Sequence, residues 1–170
     1  MFEHFLPDFM FDKFDDVTPQ FLAEQNIRYL LVDIDNTLAP YEEPVPNARV
    51  CAWVDAMRLC GVSILLVSNN KKDRVEVFNK ALGLPCFWDC HKPSPKRLVR
   101  YAATIGAVIS ETAALGDQIF TDVWGAKSIG ARAILVPPIR DKKTLFFRFK
   151  RALEKPFLRR FRKREEKKKI

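Results

Sequence analysis

Two aspartates one residue apart, Asp33 and Asp35, close a short apolar run and are followed by Asn36 and Thr37. At the end of an extended strand, a spacing of two sends both side chains the same way, so the pair shares one pocket. Like charges repel strongly where water is scarce, and a divalent cation relieves that repulsion. Mg²⁺ suits the role because it takes a few carboxylate oxygens and leaves its other positions to water and phosphate. Asp117, which follows Gly116 after another apolar run, is a third candidate ligand beside Asp33 and Asp35. With a cation bound, one carboxylate of the pair can attack phosphorus to form an aspartyl-phosphate while the other carries protons. A lone Asp-x-Asp is weak evidence, since an acidic strand-to-loop turn has the same letters. The ordered set is far more specific: Asp33-x-Asp35-x-Thr37, Ser68-Asn69, Lys92-Pro93, then Gly116-Asp117-x3-Thr121-Asp122.

These groups lie far apart in the chain, so secondary structure must bring them together. Residues 28–34, 62–67, 113–117 and 133–136 read as short buried strands, each an apolar run stopped by polar residues or proline, and residues 85–88 are a weaker fifth. Helical spacing fills the gaps over 46–60, 73–82, 94–105 and 122–129, the last three closed by Gly83, Gly106 and Gly130. This alternation predicts an α/β fold, a Rossmann-like doubly wound parallel sheet of about five strands. In such sheets ligands bind beyond the carboxyl ends of the strands, where Asp33, Asp35, Ser68, Asn69 and Asp117 would meet. The intervals between motifs leave room for single helices and no large cap domain. An open site suits a phosphate carried on something large better than a small metabolite that needs enclosure.

At 170 residues, with 48% hydrophobic and 29% charged residues, the composition is that of one globular domain. The charge is uneven. From Arg140 onward there are 15 Lys or Arg against 4 Asp or Glu, a net of +11 in a chain of +8, which leaves −3 for residues 1–139. We therefore divide the chain into a catalytic domain, 1–139, and a basic amphipathic segment, 140–170. Leu145, Phe149, Leu153, Phe157 and Phe161 form an i, i+4 stripe, joined by Phe146 and Leu158 and flanked by basic residues, with a kink or break expected at Pro156. Residues 144–164 would then lie against an anionic membrane. A nucleic-acid partner is disfavoured, because the aromatics keep helical spacing instead of forming stacking platforms. Cys51, Cys60, Cys86 and Cys90 contain no CxxC pair, which points away from zinc and toward reduced thiols in the cytoplasm. The Phe-rich start lacks the basic and unbroken apolar regions of a signal peptide, and no run approaches the roughly 20 apolar residues of a membrane span. The expected location is cytoplasmic and peripheral at the inner membrane face, neither secreted nor transmembrane.

Asp33-Ile-Asp35-Asn36-Thr37-Leu38, Leu66-Val-Ser68-Asn69-Asn70, His91-Lys92-Pro93 and Gly116-Asp117-Gln118-Ile-Phe-Thr121-Asp122 resemble the four motifs of the haloacid dehalogenase superfamily. Phe5-Leu6-Pro7-Asp8, Thr18-Pro19, Gly83-Leu84-Pro85 and the basic tail narrow the resemblance to the YqeG family of class IIIA phosphatases. That resemblance implies an Mg²⁺-dependent phosphatase. In it Asp33 is the nucleophile and a metal ligand, and Asp35 is the acid and base, its backbone carbonyl also touching the metal. Ser68, with Asn69 beside it, binds the transferring phosphoryl group, Lys92 neutralises developing charge, and Asp117 binds the metal. Asp122 supports the metal or holds Lys92, and Thr37 is a supporting residue. Lys96 is the alternative lysine, and Asn70, Lys71 and Lys72 read as solvated helix-start residues. Some members of the family act on phosphatidylglycerophosphate, which makes that phospholipid the leading substrate. A phosphatase of soluble phosphomonoesters or phosphoproteins, and an RNA- or ribosome-binding protein with a secondary phosphatase site, are the alternatives.

Overall fold

Side chains that alternate across a strand decide how this chain layers. In the computed structural model, which describes residues 2–140 and 145–168 apart from the side chains of residues 2, 145–148, 150, 151 and 168, six parallel strands form one sheet. They are β1 (Phe9–Met10), β2 (Tyr29–Val32), β3 (Ser63–Val67), β4 (Cys86–Phe87), β5 (Thr112–Gly116) and β6 (Arg132–Leu135), in the order β1-β6-β5-β2-β3-β4. Leu30, Val32, Ile64, Leu66, Ala113, Leu115 and Ile134 point to one face. There they pack under α1 (Pro19–Glu24), α2 (Ala48–Leu59) and α3 (Lys72–Asn79), through Leu22, Val50, Val54, Met57, Val75 and Phe78. Residues of the opposite parity, Leu31, Leu65, Val67, Ala133 and Leu135, meet α4 (Pro95–Thr104) and α5 (Trp124–Ser128). The expected doubly wound sheet is present, with helices on both faces.

The departures from the expected elements have local causes. A sixth strand, β1, sits at the sheet edge beside Ile134 and Leu135, and two residues are too short to show a periodicity. Asp8 pins it, taking hydrogen bonds from Lys127 Nζ at 2.7 Å and Ala133 N at 2.8 Å. Helix α1 was also unforeseen, though Thr18 caps it by accepting from Phe21 N at 3.1 Å. Helix α3 stops at Asn79 instead of 82, because the Asn79 side chain exchanges two hydrogen bonds with the backbone of Leu84 and turns the chain early. The helix expected at 122–129 begins earlier, as a π-helical turn, Ile119–Val123, that runs into α5.

The basic segment forms one helix, α6 (Leu145–Lys168), which does not break at Pro156. Its apolar stripe is not one face. An i, i+4 series advances about 40° around the axis per step, so Phe149 and Phe161 stand roughly 120° apart. Phe161 is buried and Phe157 and Leu158 pack beside Ile119 and Val123, whereas Phe149 and Leu153 are 64% and 47% exposed. The side chains of Leu145 and Phe146 lie outside the described residues. Phe5 joins α6 to the body, its ring 5.2 Å from Phe157, 5.7 Å from Phe120 and 5.3 Å from Trp124. Among the described residues no helix is long and apolar enough to cross a membrane.

Candidate active site

Parallel strands put their carboxyl ends on one edge, so the polar residues after β2, β3 and β5 converge. Asp33 stays in register with the sheet, its N–H donating to Leu115 O at 2.9 Å, and the chain then turns sharply at Asn36. Asn36 takes φ of 65°, a left-handed conformation that asparagine tolerates. The turn is tied down when Asn36 N donates to Ala39 O and Asn36 O accepts from Ile139 N. A pocket of about 280 Å³ opens here, lined by Asp33, Asp35, Tyr41, Ser68, Asn69, Asn70, Lys92, Gln118 and Thr121.

Lys92 is the electrostatic centre. Its Nζ lies 2.6 Å from Asp33 Oδ1 and 2.7 Å from Asp122 Oδ1, with all three side chains buried. The other oxygen of Asp33 accepts from Thr37 Oγ1 at 3.2 Å. Burial pushes Asp33 up to about 8, opposed by Lys92 and reinforced by Asp122 and Asp117. Lys92 is driven well above the ordinary lysine range, as the charges of Asp122 and Asp33 outweigh its own desolvation. One ligand oxygen from each of Asp33, Asp117 and Asp122 lies within 4.8 Å of the others. Such a set of buried, hard, anionic oxygens fits a divalent cation of the Mg²⁺ type, and is costly without a compensating positive charge.

Gly116 makes that cluster possible. A Cβ on Gly116 would lie 2.2 Å from Asp122 Cγ, so only glycine lets the Asp122 carboxylate swing back beneath Lys92. Its second oxygen accepts from Gln118 N at 3.1 Å, which fixes both ends of the 118–122 turn. Asp122 is therefore a partner of Lys92, one of the two roles the motif implied.

Asp33, Asp35, Thr37, Ser68, Asn69, Lys92, Asp117 and Asp122 lie at this site or directly behind it, although Asp35 and Asn69 carry different contacts from those expected. Asp35 lines the pocket but is not one of the clustered carboxylates; its own carboxylate meets Arg74 at 3.0 Å and Asn70 Nδ2 at 3.0 Å. Asn69 clamps the backbone of Lys92, its Oδ1 accepting from Lys92 N at 2.7 Å and its Nδ2 donating to Lys92 O at 3.2 Å. Asn69 thus presents Lys92 to the pocket. Ser68 is buried, and its Oγ accepts from Asn70 N at 3.0 Å. Lys96 is exposed on α4. Tyr41 and Arg74 were missed, and Asn70, read as a solvated helix-start residue, is instead half-buried in the pocket wall and bonded to Asp35. Tyr41 is pushed up by burial and by the charges of Asp35 and Asp33. Arg74 lies in the first turn of α3 and Asn70 in the turn before that helix, and no local spacing in the sequence pairs either with Asp35.

Comparison with known proteins identifies the family and the fold. Residues 2–139 match the family model described as mitochondrial PGP phosphatase. The chain is 32% identical over 154 residues to the probable phosphatase YqeG of Bacillus subtilis, covering 91% of this chain and 90% of that one. Among solved structures, an uncharacterized protein from Listeria monocytogenes aligns with a TM-score of 0.56 at 12% identity, covering 69% of this chain and 85% of the other. The putative 3-deoxy-D-manno-octulosonate 8-phosphate phosphatase from Vibrio cholerae aligns at 0.54 and 18% identity, covering 67% and 69%. The cobalt-bound deoxy-D-mannose-octulosonate 8-phosphate phosphatase of Haemophilus influenzae aligns at 0.51 and 12%, covering 81% and 90%. These three establish the haloacid dehalogenase-like fold, and the first two matches establish the family: the chain belongs to the phosphatase family whose model is described as mitochondrial PGP phosphatase and is similar to YqeG.

Proposed function

We propose that this phosphatase is an Mg²⁺-dependent phosphomonoesterase that works through an aspartyl-phosphate on Asp33, with phosphatidylglycerophosphate at an anionic membrane surface as its substrate. The observation that carries the chemistry is Lys92 Nζ held between Asp33 and Asp122 at the floor of the pocket. Asp33, Asp117 and Asp122 are the residues available to a bound cation, which would neutralise charge on the phosphoryl group and on the cluster itself. A carboxylate oxygen of Asp33 attacks phosphorus, the bond to the leaving alkoxide breaks, and Asp35 supplies the proton that alkoxide takes. Water then attacks the aspartyl-phosphate as Asp35 removes its proton, releasing phosphate and restoring Asp33. Lys92 and Ser68 hold the phosphoryl oxygens, while Arg74 and Asn70 aim Asp35.

Three observations support the lipid substrate. The family model carries the name of a PGP phosphatase and spans the catalytic part of the chain. Only single helices and the short strand β4 separate the site-bearing strands β2, β3 and β5, so among the described residues no inserted domain covers the pocket. Helix α6, in the segment 140–170 that we read as lipid-facing beside a catalytic domain 1–139, exposes Phe149 and Leu153, with the exposed Arg160 and Lys163 on the same side of the helix. Apolar anchors among basic residues suit the cytoplasmic face of a membrane, where each base near the surface contributes about 1 kcal/mol. The test is hydrolysis by wild type and by Phe149→Glu/Leu153→Glu, on phosphatidylglycerophosphate in anionic vesicles and on a soluble phosphomonoester. The double variant should retain soluble activity and thermal stability while losing lipid activity and salt-sensitive vesicle binding. Unchanged lipid hydrolysis would move the reading to a soluble substrate.

A further inference from the structure

Glu154 is a buried carboxylate that the reaction does not use. It is 2% exposed, it lies on α6 between the exposed Leu153 and the packed Phe157, and its Oε1 accepts a hydrogen bond from Ile119 N at 2.9 Å. A carboxylate is costly to bury, and it is retained where it satisfies a specific donor. Ile119 is the first residue of the continuous helical segment 119–128, and the preceding residue, Gln118, makes no side-chain cap to it. The orphan N–H that a local cap would ordinarily satisfy is met by a side chain 35 positions later, at the helix end where negative charge is favourable.

The segment it holds belongs to the site. Asp117 stands two residues before Ile119 and Asp122 three residues after it, and both contribute to the acidic cluster with Asp33. Gln118 N donates to Asp122 Oδ2, and Asp122 Oδ1 accepts from Lys92. A rotation of this turn about Ile119 would move both carboxylates relative to Asp33 and disengage Lys92. We infer that Glu154 is a positioning residue for the cation-binding and phosphoryl-transfer cluster, acting through Ile119 N, so that the basic helix α6 is a brace for the catalytic turn. This rests on the reading of Asp33, Asp117 and Asp122 as the cation site.

The full chain is compared as wild type, Glu154→Ala, Glu154→Gln and Phe161→Ala. The measurements are Mn²⁺ affinity by electron paramagnetic resonance, amide exchange over residues 117–123, kcat and KM on 4-nitrophenyl phosphate, and Tm. Losing an outer partner of a metal site typically costs 10–100-fold, so Glu154→Ala should weaken Mn²⁺ binding and lower kcat by about 10-fold or more. KM should change little, and exchange at 117–123 should quicken. Gln keeps an acceptor oxygen, so Glu154→Gln should recover most of the affinity and kcat. Phe161→Ala removes a buried anchor of the same helix without touching Ile119, so it should lower Tm yet keep wild-type Mn²⁺ affinity when assayed well below its transition. Wild-type Mn²⁺ affinity and exchange in Glu154→Ala would overturn the assignment. So would equal losses in Glu154→Ala and Phe161→Ala, which would mark α6 docking as generally structural. If Asp117→Asn binds Mn²⁺ as wild type does, the cation reading itself fails, and exchange at 117–123 still decides whether Glu154 holds the turn.

Discussion

Replacing Asp33 with Asn separates two consequences of one buried carboxylate. The amide cannot attack phosphorus, so Mg²⁺-dependent phosphate release should fall to below about a thousandth of wild type, roughly 4 kcal/mol of barrier. The second consequence is in stability without metal. Burial raises Asp33 from 3.8 to about 8, so between these values the folded protein keeps a proton that the unfolded chain has released. Stability contributed by that proton is complete below pH 4 and is lost as pH rises toward 8, at up to about 1.4 kcal/mol per unit. Lys92, raised above its usual value, stays protonated in both states across this window and adds no slope there. From pH 5 to pH 7 wild type should therefore lose up to about 3 kcal/mol that Asp33→Asn does not lose, a relative Tm shift of roughly 5–10 °C for a chain of this size. Thermal unfolding of both proteins in EDTA, followed at several pH values, measures the difference directly. Parallel Tm profiles for the two proteins would refute the buried, proton-holding Asp33, and retained hydrolysis would place the nucleophile elsewhere.

Three further outcomes follow from the same geometry. Asp35→Asn should cost about 10²–10⁴-fold on alkyl phosphates and clearly less on a phenolic leaving group, which departs without a proton; equal damage on both would argue against the acid role. Gly116→Ala places a methyl 2.2 Å from Asp122 Cγ, so the Asp122–Lys92 pair must separate, and hydrolysis should drop at least 100-fold, on the order of 3 kcal/mol; near-normal kinetics would show the pair to be dispensable. Because Asp33 carries a proton up to about pH 8, divalent cation binding should release it, and calorimetry in buffers of different ionisation enthalpy should report proton release at pH 7 that vanishes above pH 9.

That this protein is a phosphatase, and where its candidate site lies, was legible before any fold was known, because its motifs are local. Asp33-x-Asp35, Ser68-Asn69, Lys92-Pro93 and Gly116-Asp117 each sit in a few consecutive residues, and each follows or precedes an apolar run whose length marks a strand or helix. A parallel sheet then requires the ends of β2, β3 and β5 to share an edge, so convergence followed from topology alone. Which side chain touches which did not. Arg74 reaches Asp35 across 39 positions, Asn69 grips Lys92 across 23 and Glu154 caps Ile119 across 35, contacts that no local spacing encodes. The tail shows the limit most clearly. Its i, i+4 apolar series was visible in the sequence, but a 3.6-residue turn spreads that series around the helix. Only the tertiary packing, in which Phe157 meets Phe5, Phe120 and the 119–123 turn, determined that Phe157 and Phe161 are turned inward while Phe149 and Leu153 remain in solvent.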